Sequence, residues 1–333
     1  MFPKFKRQLK IILAPLIIPL ILLGIIGLII LVQPKIRSTY WWSVIFTNPI
    51  KQTNGATNLL LLGVSGGSYV GADLTDTMIF LSINQKTGKI IMVSLPRDIW
   101  SPTLVAKINT AYHYGEEKQK GQGLTLAKST AEEIVGLPIH YVVKIDLAGL
   151  DDIVNFLGGV EVNIDQSFDD YKYPIEGKEE DLCAGDIEYK CRYQHVHFDA
   201  GKQVLNGERA LQYVRSRNAE GDEGTDFARS KRQEKLLLAI KNKVFSLDFL
   251  SHPQKVLQLI KIVGTIIETD IPQGDFPYWG KILLKTNFNQ IKTLNLEELL
   301  INPPTWQYGQ WVLVPRTGDF LEIQQFLKKQ IPN

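Results

Sequence analysis

The chain lacks the motifs that mark several common enzyme classes. Its 333 residues contain no G-x-x-x-x-G-K-[ST] loop, no H-E-x-x-H segment and no Ser-His-Asp order. A P-loop nucleotidase, a zinc hydrolase of the H-E-x-x-H type and a serine hydrolase are therefore poorly supported. Internal repeats and low-complexity tracts are also missing. Because 44% of the residues are hydrophobic, the chain nevertheless has ample material for a folded core.

A large charge excess is missing as well. The formal net charge is +2, and four basic residues, Lys4, Lys6, Arg7 and Lys10, come before any predicted element. The remainder of the chain is close to neutral, with about 33 basic residues against 35 acidic ones. Bulk charge therefore does not support a nucleic-acid-binding surface, and we expect no nucleic acid among the partners.

One long apolar run is present, at residues 11–32, and it carries no charge. As a helix it would be about 33 Å long, close to the ~30 Å hydrocarbon core of a bilayer, so it predicts one transmembrane helix. A cleaved signal peptide is the alternative, but the run is too long and no small-x-small cleavage site follows before Lys35. The basic residues place residues 1–10 in the cytoplasm. Residues 33–57 would then form a linker outside the cell membrane.

Cysteine is scarce, and the two that occur, Cys183 and Cys191, lie in the part predicted to be extracytoplasmic. A disulfide is the natural interpretation there, and it would add roughly 2 to 3 kcal/mol by closing a short loop. Free thiols are a second interpretation. A zinc site that includes His195 and His197 is a third, although C-x7-C-x3-H-x-H fits no familiar zinc pattern.

Apolar patterns after residue 57 alternate between the periods of strands and helices. The predicted strands are residues 59–62, 78–83, 92–95, 139–145, 160–164 and 214–217. The predicted helices are residues 108–117, 126–135, 147–156, 208–213 and 226–245. Residues 84–89 form a polar turn, so the second and third strands make an antiparallel hairpin. The pattern predicts an α/β fold with a mixed β-sheet flanked by helices.

This organisation suggests one main domain at residues 58–250. Within it, residues 166–200 are polar and predicted to be irregular, as in an insertion or a lid. Residues 251–333 carry weaker signals and are interpreted as a C-terminal extension packed on that domain.

Acidic residues lie at the edge of a Gly-rich loop before the second strand. Asp76 is placed where a carboxylate reaches a metal or an anionic ligand, since glycines let backbone approach closely. Its alternative role is a local turn cap. Asp73 is a weaker candidate for the same metal, and a solvated loop residue is the simpler interpretation.

Arginines lie just after one predicted strand and on another. Arg97 comes directly after residues 92–95, at a strand end where open α/β sheets bind ligands, and its guanidinium suits a phosphate. A surface ion pair with Asp98 is the alternative. On a strand at residues 214–217, Arg215 and Arg217 would share one face with Tyr213, which favours an anion opposite them. Acids in the following loop are the alternative partners.

The long predicted helix carries a stripe that changes character along its length. At spacings of three and four residues the stripe contains Asp226, Arg229, Gln233, Leu236 and Ile240. A polar start on an otherwise apolar face suggests that the helix lines a pocket, with a solvated first turn as the alternative. Arg232 lies beside the stripe. Together with Lys107, the arginines make up to five cations, which fit a pyrophosphate bound with Mg²⁺.

At these residues the chain resembles the LytR-CpsA-Psr family of membrane-anchored cell-wall enzymes. The motifs that carry the resemblance are residues 58–63, 74–78, 93–98, 107–112, 158–162, 205–211, 213–217 and 226–233. The resemblance implies an α/β/α-like fold that holds a polyprenyl chain. It also implies transfer of a glycopolymer from a polyprenyl-pyrophosphate carrier to peptidoglycan through a phosphodiester link, with Mg²⁺ or Mn²⁺ at the pyrophosphate.

The resemblance also assigns roles to individual residues. Asp76 would bind the metal and act in catalysis, the arginines would bind phosphate and stabilise charge on the transferring group, and three further residues would complete the phosphate site. The arginines are Arg97, Arg215, Arg217 and Arg229, and the further residues are Lys107, Asp226 and Gln233. A polyprenyl-pyrophosphate hydrolase and a non-catalytic lipid- or wall-binding anchor are the alternative functions.

The chain departs from the family pattern in the Gly-rich loop. Many members carry an Asp and an Arg where this chain has Ser65 and Gly67, and an Arg where it has Leu74. The metal site would then depend on Asp76, with or without Asp73. The polymer, the acceptor sugar and the oligomeric state are not specified by the sequence.

Overall fold

A computed structural model describes residues 50–67, 71–178, 180–275, 278–279, 282 and 291–331. The predicted cytoplasmic segment, the transmembrane helix at 11–32 and the linker up to residue 49 lie outside these ranges. Within the described ranges, none of the helices has both the length and the hydrophobicity that a membrane span needs.

The described elements follow one another along the chain as strands and helices. The strands are β1 (Ala56–Val64), β2 (Thr75–Asn84), β3 (Ile90–Ser94), β4 (Trp100–Ser101), β5 (Ala106–Lys107), β6 (Tyr141–Asp146), β7 (Val160–Ile164), β8 (Phe168–Pro174), β9 (Tyr193–Phe198), β10 (Gly201–Leu205), β11 (Ile267–Thr269), β12 (Lys292–Leu294), β13 (Leu300–Ile301) and β14 (Val314–Pro315). The helices are α1 (Ala111–Lys118), α2 (Gly123–Val135), α3 (Leu150–Phe156), α4 (Gly207–Arg215), α5 (Asp226–Val244), α6 (Leu247–Leu250), α7 (Pro253–Ile266) and α8 (Leu321–Gln330).

These elements belong to two compact units. The first, here called the sheet unit, contains the described residues of 50–65, 73–147 and 266–331. The second, the hairpin unit, contains those of 66–72 and 148–265.

The sheet unit is built on a mixed sheet in the order β11-β6-β1-β2-β3-β12. Strand β1 pairs antiparallel with β2 and parallel with β6, and all nine of its residues are buried. A strand covered on both faces needs no polar alternation, which explains its continuous apolar run. The hairpin of β2 and β3 is confirmed, as is the α/β class with a mixed sheet and flanking helices.

One face of this sheet packs against α2 and α8. Leu60 and Phe80 of the sheet share a hydrophobic cluster with Ile134 of α2 and Leu327 of α8, and each is fully buried. Burial of such a side chain contributes roughly 1.5 to 3 kcal/mol. Helix α2 ends at Gly136, whose φ of 64° is the left-handed conformation that closes a helix.

The C-terminal residues are part of both units. Helix α7 belongs to the hairpin unit, whereas β11 pairs antiparallel with β6 and β12 pairs parallel with β3. These strands form the two edges of the sheet. The predicted C-terminal extension therefore contributes β11 and β12 to the central sheet, in addition to the residues that pack on it.

The hairpin unit contains two antiparallel strand pairs, β7 with β10 and β8 with β9, together with helices α3 to α7. Phe168, Phe198 and Tyr213 form an aromatic cluster with ring centroids 5.1 to 6.2 Å apart. This cluster joins the β8–β9 hairpin to α4, so the hairpin has its own core contacts.

Two local predictions differ from the structure here. Residues 166–200 are more regular than expected, because β8 and β9 pair across the segment and a disulfide joins Cys183 to Cys191 between them. The strand predicted at residues 214–217 is wrong, since α4 continues to Arg215 and Ser216 is its C-cap. The Asn206 side chain caps the start of α4, and this nucleation outweighs the β propensity of the Tyr-Val pair.

Candidate functional site

Asp76 lies at an irregularity in the central sheet. Gly63 pairs with Thr77 and Val64 with Thr75, so Asp76 is the extra residue of a bulge on β2. Such bulges re-aim side chains and are common beside active sites. Ser65, which follows β1, donates a hydrogen bond from its hydroxyl to Asp76 Oδ2 at 2.8 Å. The Ser65 hydroxyl thus orients the acid.

Asp76 begins a continuous chain of opposite charges on the sheet unit, here called the carboxylate–arginine cluster (Asp76, Arg97, Asp98 and Lys107). Arg97 Nη1 donates to Asp76 Oδ1, and Arg97 Nε lies 3.6 Å from Asp98 Oδ2. Lys107 Nζ donates to the other Asp98 oxygen at 2.7 Å. The surface ion pair considered for Arg97 is therefore present, and it is one link in a four-residue network.

The network keeps Arg97 charged and still accessible. Burial by itself lowers the pKa of Arg97, but Asp76 and then Asp98 raise the pKa above its ordinary value. The Arg97 side chain is 42% exposed, and that of Asp76 is 29% exposed. A cation held at the end of a strand with two-fifths of its surface open is well placed for an incoming phosphate.

Lys107 reaches the cluster through a short hairpin. Trp100 of β4 pairs with Lys107 of β5, and the backbone N–H of Asn109 donates to the carbonyl of Arg97 at 3.3 Å. This pairing brings Lys107, nine residues further along the chain, back beside Asp98.

Asp73 takes part in a different interaction. Its Oδ2 lies 2.8 Å from His113 Nδ1 on α1, and both side chains are about 40% exposed. The proposed sharing of a metal by Asp73 and Asp76 therefore stays a prediction.

Arg215 and Arg217 lie at the C-terminal end of α4, in the hairpin unit. Arg215 is the last helical residue, and Arg217 follows the C-cap and is exposed. Their side chains do not alternate on a strand as predicted, and the two are neighbours because the chain turns out of the helix between them. Arg215 also hydrogen-bonds to Tyr173. Burial raises the pKa of the Tyr173 hydroxyl, and Arg215 opposes that rise.

A buried carboxylate that sequence reasoning missed holds this turn. Asp170 of β8 is 0% exposed, and its Oδ2 accepts from the Ser216 hydroxyl at 2.5 Å. The same oxygen accepts from the backbone N–H groups of Arg217 and Asn218, each at 3.2 Å. Asp170 therefore sets the backbone position of Arg217. Only the tertiary structure shows this, since a single Asp in a polar segment carries no sequence signal.

Arg232 fixes the same turn from the other side. It is 3% exposed, and its guanidinium donates to the carbonyls of Tyr213 and Ser216 at 2.9 and 2.7 Å. The third guanidinium nitrogen, Nη1, donates to the carbonyl and the carboxylate of Glu223, both at 2.8 Å. Arg232 is thus a structural residue that caps α4, and it neither joins the polar stripe nor faces solvent.

The polar stripe of α5 is confirmed at its apolar end. Leu236 and Ile240 are buried, whereas Arg229 and Gln233, one turn apart, are half-buried. Asp226 is the first residue of α5.

The oxygen donors at Asp76 fit a hard cation. Mg²⁺ in phosphate-handling proteins is commonly held by one or two carboxylates, with substrate phosphates and water completing its shell. Asp76 with the Ser65 hydroxyl beside it supplies oxygen ligands of that kind. Sulfur ligands are not available at the two cysteines, because Cys183 and Cys191 are bonded to each other.

Comparison with known proteins identifies relatives of this chain. The sequence model of the LytR_cpsA_psr family matches residues 37–329. A polyisoprenyl-teichoic acid–peptidoglycan teichoic acid transferase, TagU of Oceanobacillus iheyensis, is 30% identical over 259 residues, 75% of this chain and 69% of that protein. TagU of Enterococcus faecalis is 29% identical over 282 residues, 82% of this chain and 79% of that protein.

A solved structure supports the fold. TagV of Bacillus subtilis superposes with a TM-score of 0.51 at 23% identity, over 84% of this chain and 98% of that one.

Proposed function

Because the chain belongs to the LytR-CpsA-Psr family, we propose that it is a phosphotransferase that moves a glycopolymer from a polyprenyl-pyrophosphate carrier onto peptidoglycan. The relatives described above are named as transferases of polyisoprenyl-linked teichoic acid to peptidoglycan. The observation that carries the proposal is the carboxylate–arginine cluster, where Asp76, Arg97, Asp98 and Lys107 follow one another within ion-pair distance.

The cluster suits phosphoryl transfer because that reaction depends mainly on charge stabilisation. The transferring phosphoryl group gains negative charge on its oxygens, and preorganised cations lower the barrier. Arg97 offers a two-pronged donor, and Asp76 and Asp98 hold its fork in place before substrate arrives. Lys107 adds a second positive charge beside Asp98.

The proposed reaction exchanges the phosphoanhydride bond of the carrier for a new phosphoester bond. An acceptor sugar hydroxyl attacks the phosphorus that carries the glycopolymer, the bond to the polyprenyl phosphate breaks in line, and the hydroxyl loses its proton. The product is a phosphodiester, and polyprenyl monophosphate leaves. The predicted phosphate-binding roles of Arg215, Arg217, Asp226, Arg229 and Gln233, all in the hairpin unit, remain those that the resemblance implies.

Asp76 and Ser65 would hold the metal ion if one is bound. Mg²⁺ there would neutralise charge on the pyrophosphate. Asp76 has a second role that needs no metal, since it pairs with Arg97 and fixes the direction of the guanidinium. We also propose that residues 11–32 anchor the chain in the cell membrane, with residues 1–10 in the cytoplasm and the part after residue 32 outside.

The test is a transfer assay with the full chain. The reaction contains a labelled glycan on polyprenyl pyrophosphate, Mg²⁺ and peptidoglycan, and it follows both polyprenyl phosphate release and label on the acceptor. We expect Asp76→Ala, Arg97→Met and Arg215→Ala each to reduce transfer by about 100-fold or more, as removal of one charge-stabilising donor does.

The matched control is Arg316→Met. Arg316 is 46% exposed and paired with Glu322, so it resembles Arg97 in exposure and pairing. Unchanged transfer in that variant, with loss in Arg97→Met, supports the assignment. Full activity of Arg97→Met and Asp76→Ala would overturn it. Release of polyprenyl phosphate without label on peptidoglycan would indicate a hydrolase, and substrate binding without turnover would indicate an anchor.

A further inference from the structure

The exposed face of the β8–β9 hairpin gathers three side chains that bind transition metals. His195 and His197 are two residues apart on β9, so they point to the same face. Asp169 of β8 is the direct cross-strand partner of His197. The next residues on both strands, Asp170 and Val196, are buried. The three side chains therefore project together on the outer side of the hairpin.

Both imidazoles approach one carboxylate oxygen. His195 Nε2 lies 2.6 Å and His197 Nδ1 lies 2.8 Å from Asp169 Oδ1. The other nitrogen of His197, Nε2, lies 3.1 Å from Asp199 Oδ1. A second carboxylate behind the histidine favours the tautomer with the proton on Nε2, as the outer partners of metal-bound histidines do.

Proton counting shows that this arrangement is incomplete without a further positive charge. Three nitrogen–oxygen contacts are present, but two neutral imidazoles carry only two ring protons. When Asp199 accepts the Nε2 proton of His197, Nδ1 presents a lone pair to the lone pairs of Asp169. A third proton on His197 relieves that repulsion, and a bound cation in its place does the same.

Neighbouring contacts hold the three side chains on a defined support. The Tyr171 ring stacks on His195 with centroids 4.3 Å apart and planes 7° apart. Arg209 donates to the backbone carbonyl of His197 and lies over the Phe198 ring, so this cation binds the backbone and not the imidazole. The rings must turn toward each other to share one ion. The side chains of His195 and His197 are 48% and 44% exposed, which leaves room for that rotation.

We propose that Asp169, His195 and His197 bind a divalent transition metal such as Zn²⁺, with Asp199 as the second-shell partner of His197. Two imidazoles and a carboxylate are a ligand set for zinc, which leaves a fourth position for water. Mg²⁺ is a poor fit, because it prefers oxygen ligands in octahedral geometry. This site shares no residue with the carboxylate–arginine cluster, so it does not depend on the proposed function. The cysteines do not contribute, since they are joined in the disulfide.

The experiment uses the full chain, treated with EDTA and kept free of reductant. Titration with ZnCl₂ against a chromophoric chelator measures the stoichiometry and the dissociation constant. We expect one equivalent of Zn²⁺, and weakening by at least about 100-fold in His195→Ala and His197→Ala, since loss of even a second-shell partner weakens metal binding about 10- to 100-fold. We expect Asp199→Asn to weaken zinc binding by the smaller factor, about 10- to 100-fold.

The matched control is His252→Ala, which removes an exposed histidine whose ring contacts Ser251 and the Asp248 carbonyl. Zinc binding in this variant should equal that of the unmodified chain. Far-UV circular dichroism checks folding, and Asp169→Asn, which changes a single oxygen, serves where a histidine variant does not fold. Zinc binding that is absent, or that persists unchanged in His195→Ala and Asp169→Asn, would overturn the proposal.

Discussion

Substitution of the buried Asp170 by Asn tests how the turn that carries Arg217 is held. The Asp170 carboxylate is fully buried and accepts four hydrogen bonds. Its Oδ2 accepts from the Ser216 hydroxyl and from the N–H groups of Arg217 and Asn218, while Oδ1 accepts from the N–H of Lys172. An amide of the same size keeps one oxygen and turns the other acceptor into a donor. If the amide nitrogen takes the Oδ2 position, three donors face an N–H₂ group. If it takes the Oδ1 position, only the N–H of Lys172 does.

The expected loss follows from the cost of these unpaired groups. A hydrogen bond to a charged group contributes about 1.5 to 3 kcal/mol, and leaving a buried donor unsatisfied costs about 1 to 3 kcal/mol. The individual contributions are not additive, because one oxygen accepts several of them. We expect Asp170→Asn to lower the free energy of unfolding by about 2 to 5 kcal/mol. With the amide oxygen in the Oδ2 position, the N–H₂ group faces the N–H of Lys172, and the three remaining bonds lose a charged acceptor.

Urea denaturation followed by circular dichroism, with the disulfide intact, measures this change. Asp165→Asn is the matched control, because Asp165 is 44% exposed and its ion pairs with Lys231 and Lys235 face solvent. The control should lose less than about 1 kcal/mol. If Asp170→Asn loses no more than Asp165→Asn does, the carboxylate is not what holds the turn.

Three further perturbations test other parts of the structure. Gly207→Ala should lower the unfolding free energy by about 1 to 3 kcal/mol in urea denaturation, because its Cβ would lie 2.5 Å from a backbone oxygen of α3; an unchanged midpoint would contradict that packing. Replacing Cys183 and Cys191 by Ser should cost about 2 to 3 kcal/mol, the entropy of a short loop, and equal stability with and without reductant would refute this. Burial by itself raises the pKa of Glu268, but the hydrogen bonds from Lys144 and Tyr112 lower it, and the net effect is a lowered pKa in the folded state. The stability that Glu268 contributes is therefore present above its unfolded-state pKa and is lost as the pH falls through its folded-state pKa. The stability difference between the unmodified chain and Glu268→Gln should therefore shrink below about pH 4 in urea denaturation, and a difference independent of pH would oppose it.

Sequence patterns were sufficient where the signal is local. The apolar run of β1 and the polar turn between β2 and β3 identify the centre of the sheet, since a strand buried on both faces must be apolar throughout. Asp76 and Arg97 could be selected in advance for the same reason, because each lies where a recognisable strand begins or ends.

Residues 214–217 show where local patterns fail. Tyr and Val favour a strand, but the Asn206 cap starts a helix that runs to Arg215. Ser216 then leaves the helix with its hydroxyl bound to Asp170, 46 residues away in sequence. Neither Asp170 nor Arg232 could be assigned a role beforehand, because the groups that satisfy a buried charge come from distant segments.

The sequence by itself determined the α/β class, the order of most elements, the family and the charged residues that form the carboxylate–arginine cluster. All of these depend on residue type, on periodicity or on adjacency along the chain. Only the tertiary structure decided which charges meet: Asp76 with Arg97, Asp73 with His113, and His195 with Asp169. It also joined the two cysteines and placed the C-terminal strands at the sheet edges. The physical reason is that polar side chains must find partners once water is excluded, and the fold determines which partners are within reach.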